Sequence, residues 1–232
     1  MRKTLLNILS VSGLMLLAST FSVTEAKAQN VLGEILRRMD AHNKALQSLR
    51  ANATMEKYNS QLKIKDPYSG TAIYLAKSPK NDRCIRLNWE KPTVEQMAVV
   101  GENYELYKRS INTLYYGKVS NVTSGSGSAS NALAFLNMSR DQMKANYEIA
   151  YLGEDTVGSL KTWHLQLTPK DAKKYKLAEI WVDADGMPRQ EKNIEKNDDT
   201  TTVTLSNITK NGNIKGIEFH LDYPKNVGKV HG

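Results

Sequence analysis

The chain has 232 residues, with 32 Lys and Arg against 24 Asp and Glu, a net charge of +8 and a single Cys. That length suits one domain or two small ones, and 40% apolar residues suffice for a core, which excludes global disorder. One Cys excludes a disulfide scaffold and any multi-cysteine zinc or iron–sulfur site, while the positive charge admits an anionic partner without naming one.

Met1-Arg2-Lys3 is a short basic start, Leu5 to Ala18 is mostly apolar, and Ala26-Lys27-Ala28 has the small-x-small pattern of a signal-peptidase site. Residues 1–28 therefore read as a signal peptide, and 29–232 as a single exported domain. No Cys follows the apolar stretch, so lipidation there is not expected. Residues 31–49 place Val31, Leu32, Ile35, Leu36, Met39, Leu46 and Leu49 at helical spacing, which predicts an amphipathic helix.

From Ala51 the period shortens. A weakly alternating stretch leads to Asp66-Pro67-Tyr68-Ser69-Gly70, which reads as a turn. Thr71–Lys77 and Asp82–Glu90 read as strands, the second with Cys84, Arg86 and Asn88 opposite Ile85, Leu87 and Trp89. Cys84 reads as a small buried residue there. Gln96–Val100, Tyr104–Arg109 and Thr113–Val119 continue an antiparallel meander.

Ser120–Ser130 is a Gly/Ser linker, and Asn131–Met138 a short apolar helix. Ser139 and Gln142 stand in capping-box positions for a second short helix. Strands are expected again at Tyr147–Leu152, Thr162–Thr168, Lys176–Val182, Arg189–Lys196, Thr200–Ile208 and Gly216–Leu221, with Asp185-Gly186 in a hairpin turn. About six strands therefore lie on each side of the linker, without βαβ alternation. The predicted fold is mainly β, a large curved antiparallel sheet or barrel whose concave face needs filling. The first helix and the linker-hinged apolar helix are the natural plugs. Two readings stay open: a cavity under a mobile apolar cover, or a packed barrel with a fixed plug.

Catalytic and metal signatures do not rise above background. His42, His164, His220 and His231 are scattered, and Asp183-x-Asp185-Gly186 is half a calcium loop at most. Gly125-Ser126-Gly127 lacks the third Gly and the parallel strand of a dinucleotide site. Neither a Walker sequence nor a nucleophile elbow occurs, and the basic residues form no nucleic-acid motif. No cofactor, metal or nucleic acid is expected, nor an enzymatic activity.

Several segments, in this order, resemble the LolA family of periplasmic lipoprotein carriers. They are Ile73-Tyr74-Leu75-Ala76-Lys77-Ser78-Pro79, Leu87-Asn88-Trp89-Glu90-Lys91-Pro92, Val99 to Tyr107, Asn131 to Tyr147, Leu165 to Lys170, Ile180 to Asp183 with Asp185-Gly186, and Pro224-Lys225-Asn226-Val227. The resemblance spans about 190 residues. It implies an unclosed, half-open antiparallel β-barrel capped by α-helices around an apolar cavity. It also implies a monomeric periplasmic chaperone that takes acylated lipoproteins from an inner-membrane ABC transporter to an outer-membrane acceptor. On this pattern Leu87 and Trp89 line the cavity with Tyr74, Met97 and Val99, while Leu133, Phe135, Leu136 and Met138 belong to the lid. The family's lid-latching Arg falls at Ser78 here, which leaves Lys77, Arg83 and Arg86 as candidates. The alternatives are a lipid- or lipoprotein-sensing module on the same fold, and an enzyme acting on lipid or glycan.

Overall fold

The computed structural model describes residues 19–77, 83–119, 138–171 and 175–232, with the side chains of 19–28 excepted. Helix α1 (Ser19–Ala45) leads into β1 (Ser48–Asn59), β2 (Ile64–Leu75), β3 (Cys84–Lys91), β4 (Glu95–Val100), β5 (Asn103–Lys108) and β6 (Thr113–Lys118). A short helix α2 (Arg140–Asn146) precedes β7 (Tyr147–Val157), β8 (Leu160–Pro169), β9 (Leu177–Val182), β10 (Pro188–Ile194) and β11 (Thr200–Lys210), and β12 (Gly228–His231) follows a 3-10 turn at Gly216–Phe219.

The twelve strands of the described residues form one sheet in the order β12-β6-β5-β4-β3-β2-β1-β11-β10-β9-β8-β7. Two antiparallel meanders, β1–β6 and β7–β11, are zipped together by the long-range pairing of β1 with β11, from Leu49↔Lys210 to Tyr58↔Thr200. Among these described strands only β12 lies parallel to its neighbour, β6. The two outer strands, β7 and β12, do not pair with each other, so the barrel is unclosed. This is the open, helix-capped antiparallel architecture that the LolA resemblance implies.

Strand alternation divides the side chains between two faces. The inner face carries Leu49, Ala51, Ala53 and Met55 of β1, Ala72 and Tyr74 of β2, and Leu87 and Trp89 of β3, all buried. At its centre small residues oppose small ones, Ala51↔Ala72 and Ala53↔Gly70. That lets the larger neighbours close over a strongly curved sheet. At Gly70, where β2 and β3 shift register, a Cβ would stand 1.9 Å from the Asn88 carbonyl oxygen. No side chain larger than hydrogen fits there.

Helix α1 packs on the inner face of β7–β9. Ile35, Leu36 and Met39 join Leu165, Leu167, Ile180, Val182, Met143 and Tyr147 in one buried cluster. The β9–β10 hairpin fastens the helix: Arg38 donates to the Ala184 carbonyl at 2.8 Å, and Gly186 (φ +86°) fits against the Arg38–Met39 backbone. On the outer face of β3–β6, Leu221 and the half-buried Tyr223 cover Ala98, Tyr107 and Leu114.

Three expectations are corrected. The helix ends at Ala45, not Leu49, because Asn211 Oδ1 accepts the backbone N–H of Gln47 and Ser48 and starts β1. The turn between β1 and β2 lies at Ser60–Lys63, with Lys63 in the left-handed region at φ 56°. Asp66–Gly70 is strand instead, and Pro67 is tolerated because β3 does not reach that part of β2. Gly216–Leu221 is no strand: Gly216–Phe219 is a 3-10 turn on the outer face, and β12 was not foreseen. The capping box stands as expected, with Ser139 Oγ accepting from Gln142 N at 3.2 Å and Gln142 Oε1 from Ser139 N at 3.0 Å. Helix α1 runs unbroken across the Ala28–Gln29 bond.

Candidate functional site

Five of the expected lipid-contacting residues come together on β2, β3 and β4. Tyr74 pairs with Ile85, and Ile85 with Val99; Leu87 lies between Ala72 and Met97; Trp89 lies between Gly70 and Glu95. Tyr74, Leu87, Trp89, Met97 and Val99 belong to one buried apolar cluster with Leu49, Met55, Val203 and Leu205. Burying each such side chain contributes about 1.5–3 kcal/mol. Met138 lies elsewhere, half-buried against the α1 cluster, and its carbonyl accepts from Asn43 Nδ2 at 2.8 Å. Leu133, Phe135 and Leu136 lie outside the described residues.

The inner face thus holds two apolar clusters. The one around Leu165 and Ile180 is filled by Ile35, Leu36 and Met39 of α1. The one around Leu87 receives no described apolar side chain of α1 itself, only Leu46 just beyond its end.

The three basic candidates sit differently. Lys77 is exposed just after β2. Arg83 hydrogen-bonds the Tyr74 phenol, which burial pushes above its ordinary pKa and the nearby guanidinium draws back down. Arg86 points to the outer face, where it donates to the carbonyls of Glu218 at 2.8 Å and His220 at 3.0 Å. Arg50, on the same face, pairs with Glu218. These two arginines tie down the 3-10 turn that precedes Leu221.

Polar groups interrupt the inner face at two places. Glu191 of β10 lies in register between Ile180 and Val203 and is buried. Asn193 Nδ2 donates to its Oε1 at 2.7 Å. Burial pushes the carboxyl from 4.5 up to about 8, only partly offset by that amide. Beside it the Tyr175 hydroxyl donates to the Tyr147 hydroxyl at 2.9 Å. The second place is the end of β1, where Lys57 follows Met55 on the same face. Neither Glu191 nor Lys57 is marked in the sequence, since Gln190-Glu191-Lys192 and Glu56-Lys57 read as solvated strand. Val203 and Leu205 carried a usable signal, the alternation of Thr202 to Ser206.

A separate groove of about 790 Å³ lies mainly on the outer face, lined by Thr54, Glu56, Pro67, Ser69, Thr202 and Thr204 among others. Its lining mixes these Thr, Ser and Glu side chains with Met55, Tyr68 and Pro92. Among the described residues no three His, Cys, Asp or Glu side chains are placed to hold a metal, and no helix is long and apolar enough to cross a membrane.

A family model described as an uncharacterized protein matches residues 118–219, less than half of the chain. No curated protein matches the sequence. Among solved structures, an uncharacterized conserved protein from Thermus thermophilus is similar over 87% of this chain and 99% of its own, at 13% identity and a TM-score of 0.56. MucB, also solved with MucA from Pseudomonas aeruginosa, is similar at 14% identity and a TM-score of 0.53. That match covers 85% of this chain and 63% of MucB. A domain from Vibrio parahaemolyticus described as outer membrane lipoprotein-sorting is similar at 12% identity and a TM-score of 0.44, over 80% of this chain and 94% of its own. The likenesses to the Thermus protein and MucB show a shared fold. That fold is an unclosed antiparallel sheet with helices on its inner side.

Proposed function

We propose that this chain is a periplasmic carrier that shields the acyl chains of lipoproteins on the inner face of its sheet, after removal of residues 1–28. On this reading it receives cargo from an inner-membrane ABC transporter and releases it to an outer-membrane acceptor, and it performs no chemistry itself. The observation that carries the proposal is the apolar cluster of Tyr74, Leu87, Trp89, Met97 and Val99 on three adjacent strands of an unclosed sheet, in the half that receives no described apolar side chain of α1. Each methylene placed there contributes about 0.8 kcal/mol, so three fully enclosed acyl chains would hold too tightly for transfer. Partial enclosure by an open sheet suits a carrier that must release its load.

Native mass spectrometry with a synthetic triacylated lipopeptide tests this. Wild-type protein is expected to retain the lipopeptide. Leu87→Glu, which sets a carboxylate in the centre of the cluster, is expected to lose it. Val99→Thr, a milder change at the cluster's margin, guards against a fold lost in the first variant, and circular dichroism reports that directly. If folded wild-type protein binds no acylated ligand, the carrier reading fails. Recovery of a membrane-protein partner without lipoprotein would point instead to a lipid-sensing module on the same fold.

A further inference from the structure

The inner row of β1 runs Leu49, Ala51, Ala53, Met55 and then Lys57, an apolar row that ends in an ammonium group. Lys57 is half-buried, and its Nζ lies 5.1 Å from the centre of the Tyr68 ring. Tyr68 meets Trp89 edge-on at 6.0 Å, so two rings link the cation to the cluster around Leu87. Among the described residues Lys57 makes no hydrogen bond and no ion pair.

The charges that face it come from three other strands: Asp66 of β2, Glu95 of β4 and Lys108 of β5. Glu95 is engaged by Lys108 at 3.9 Å, and Lys108 in turn lies 5.9 Å from the centre of the Tyr115 ring. Asp66, though opposite Lys57 in register, is exposed and does not come within ion-pair distance. Among the described residues Lys57 is therefore a partly desolvated cation without a counter-charge in contact, and burial pushes its pKa down. Such a group gains most from an anion that arrives with the ligand. From Leu49 to Lys57 the row is about 26 Å long at the usual strand rise. The hydrocarbon of one bilayer leaflet is only about 15 Å thick. The row is therefore long enough for an acyl chain with its head group at Lys57, once the chain displaces the side chains packed over it.

We propose that Lys57 binds the negative head group, carboxylate or phosphate, of an amphiphile whose chain lies on the inner row of β1. This rests on the reading that the inner face takes acyl chains, and it adds a preference for anionic over neutral ligands.

The fluorescent chain of cis-parinaric acid and its methyl ester tests this, because the two differ only in the charge. Wild-type protein is expected to bind the acid about tenfold or more tightly than the ester, as one charge-assisted contact allows. Lys57→Met keeps the aliphatic stem and is expected to remove that preference while leaving ester affinity unchanged. Lys57→Arg is expected to keep it. Phosphatidic acid should displace the bound acid and inorganic phosphate should not, which separates a lipid head group from a free anion. Equal wild-type affinity for acid and ester overturns the proposal while the carrier reading stands. Equal weakening of both by Lys57→Met, or displacement by phosphate as effective as by the lipid, does the same. If wild-type protein binds neither probe, the acyl-binding reading falls with it.

Discussion

Glu191→Gln keeps the shape of a buried side chain and removes its ionisation. Glu191 lies between Ile180 and Val203, 5% exposed, with the Asn193 amide on Oε1. In the unfolded chain its carboxyl gives up a proton near 4.5, whereas in the fold burial holds that proton up to about 8. Between those values the folded state binds the extra proton. Stability is therefore fully present below 4.5, falls as pH rises, and levels off above about 8. Each pH unit in this interval corresponds to about 1.4 kcal/mol, which sets a ceiling of about 5 kcal/mol. Water entry and relaxation around the charged form lower this to about 2–5 kcal/mol. That is a large part of the 5–15 kcal/mol typical of a domain.

Urea unfolding of wild type and Glu191→Gln at pH 5, 7 and 9 reads the effect as a difference between two proteins, so other titrations cancel. The difference is expected to be small at pH 5 and to reach about 2–5 kcal/mol in favour of Gln at pH 9. Parallel curves across the range would refute the reasoning, because they would mean that the carboxyl ionises in the fold as readily as in the unfolded chain.

Two further outcomes follow from the packing. Gly70→Ala would set a Cβ against the Asn88 carbonyl at the β2–β3 register shift. It is expected to lower the urea midpoint by the equivalent of about 2–3 kcal/mol, and an unchanged midpoint would mean that the two strands can separate there. His42 of α1 is buried, and burial with Lys210 and Arg189 draws its pKa below 6.5 against the opposing pull of Asp183 and Asp185. The unfolded chain then takes up the proton first, so stability is present above 6.5 and is lost as pH falls below it. His42→Gln should blunt that acid loss in thermal melts from pH 7 to pH 5, and equal acid loss in both proteins would exclude His42 as its source.

Much of this architecture was legible because burial on one face imposes a period. Arg83 to Glu90 alternates as written, and the structure turns Ile85, Leu87 and Trp89 inward and Arg86 and Asn88 outward. The capping box at Ser139 and the Asp-Gly hairpin were legible because each is closed within a few residues. Errors arose where a distant contact overruled a local signal. Leu46 and Leu49 continue the helical stripe, yet Asn211 and the β11 ladder draw them into the sheet side of the core. Asp66-Pro67 and Gly70 look like a turn, but twelve paired positions with β1 hold that stretch extended. Lys57 and Glu191 gave no signal, since a charged residue in a strand reads as solvent-facing until its neighbours across the sheet are known.

The sequence left open a fixed plug and a coverable cavity; α1 is a plug in one half of the inner face, and the acyl-binding proposal assigns the cavity to the other. In the half built by β7–β9, α1 inserts Ile35, Leu36 and Met39, and Arg38 and Gly186 fasten it to the β9–β10 hairpin. A helix held by that many buried contacts behaves as core, and truncating its side chains should lower stability by about 2–5 kcal/mol each. In the half built by β1–β4, the strands supply Leu87, Trp89 and Met97 without any described apolar side chain of α1. Glu191 stands between Ile180 of the first half and Val203 of the second. A neutral carboxyl suits that border, because it can remain buried where apolar packing changes hands but resists ionisation. Ile35→Ala and Leu87→Ala, both at fully buried positions, therefore make a matched pair. If the two halves differ in role, Ile35→Ala lowers stability and spares acyl binding, whereas Leu87→Ala weakens binding beyond its effect on stability. If both variants changed binding only in proportion to stability, the division would be wrong and the inner face would be one continuous core.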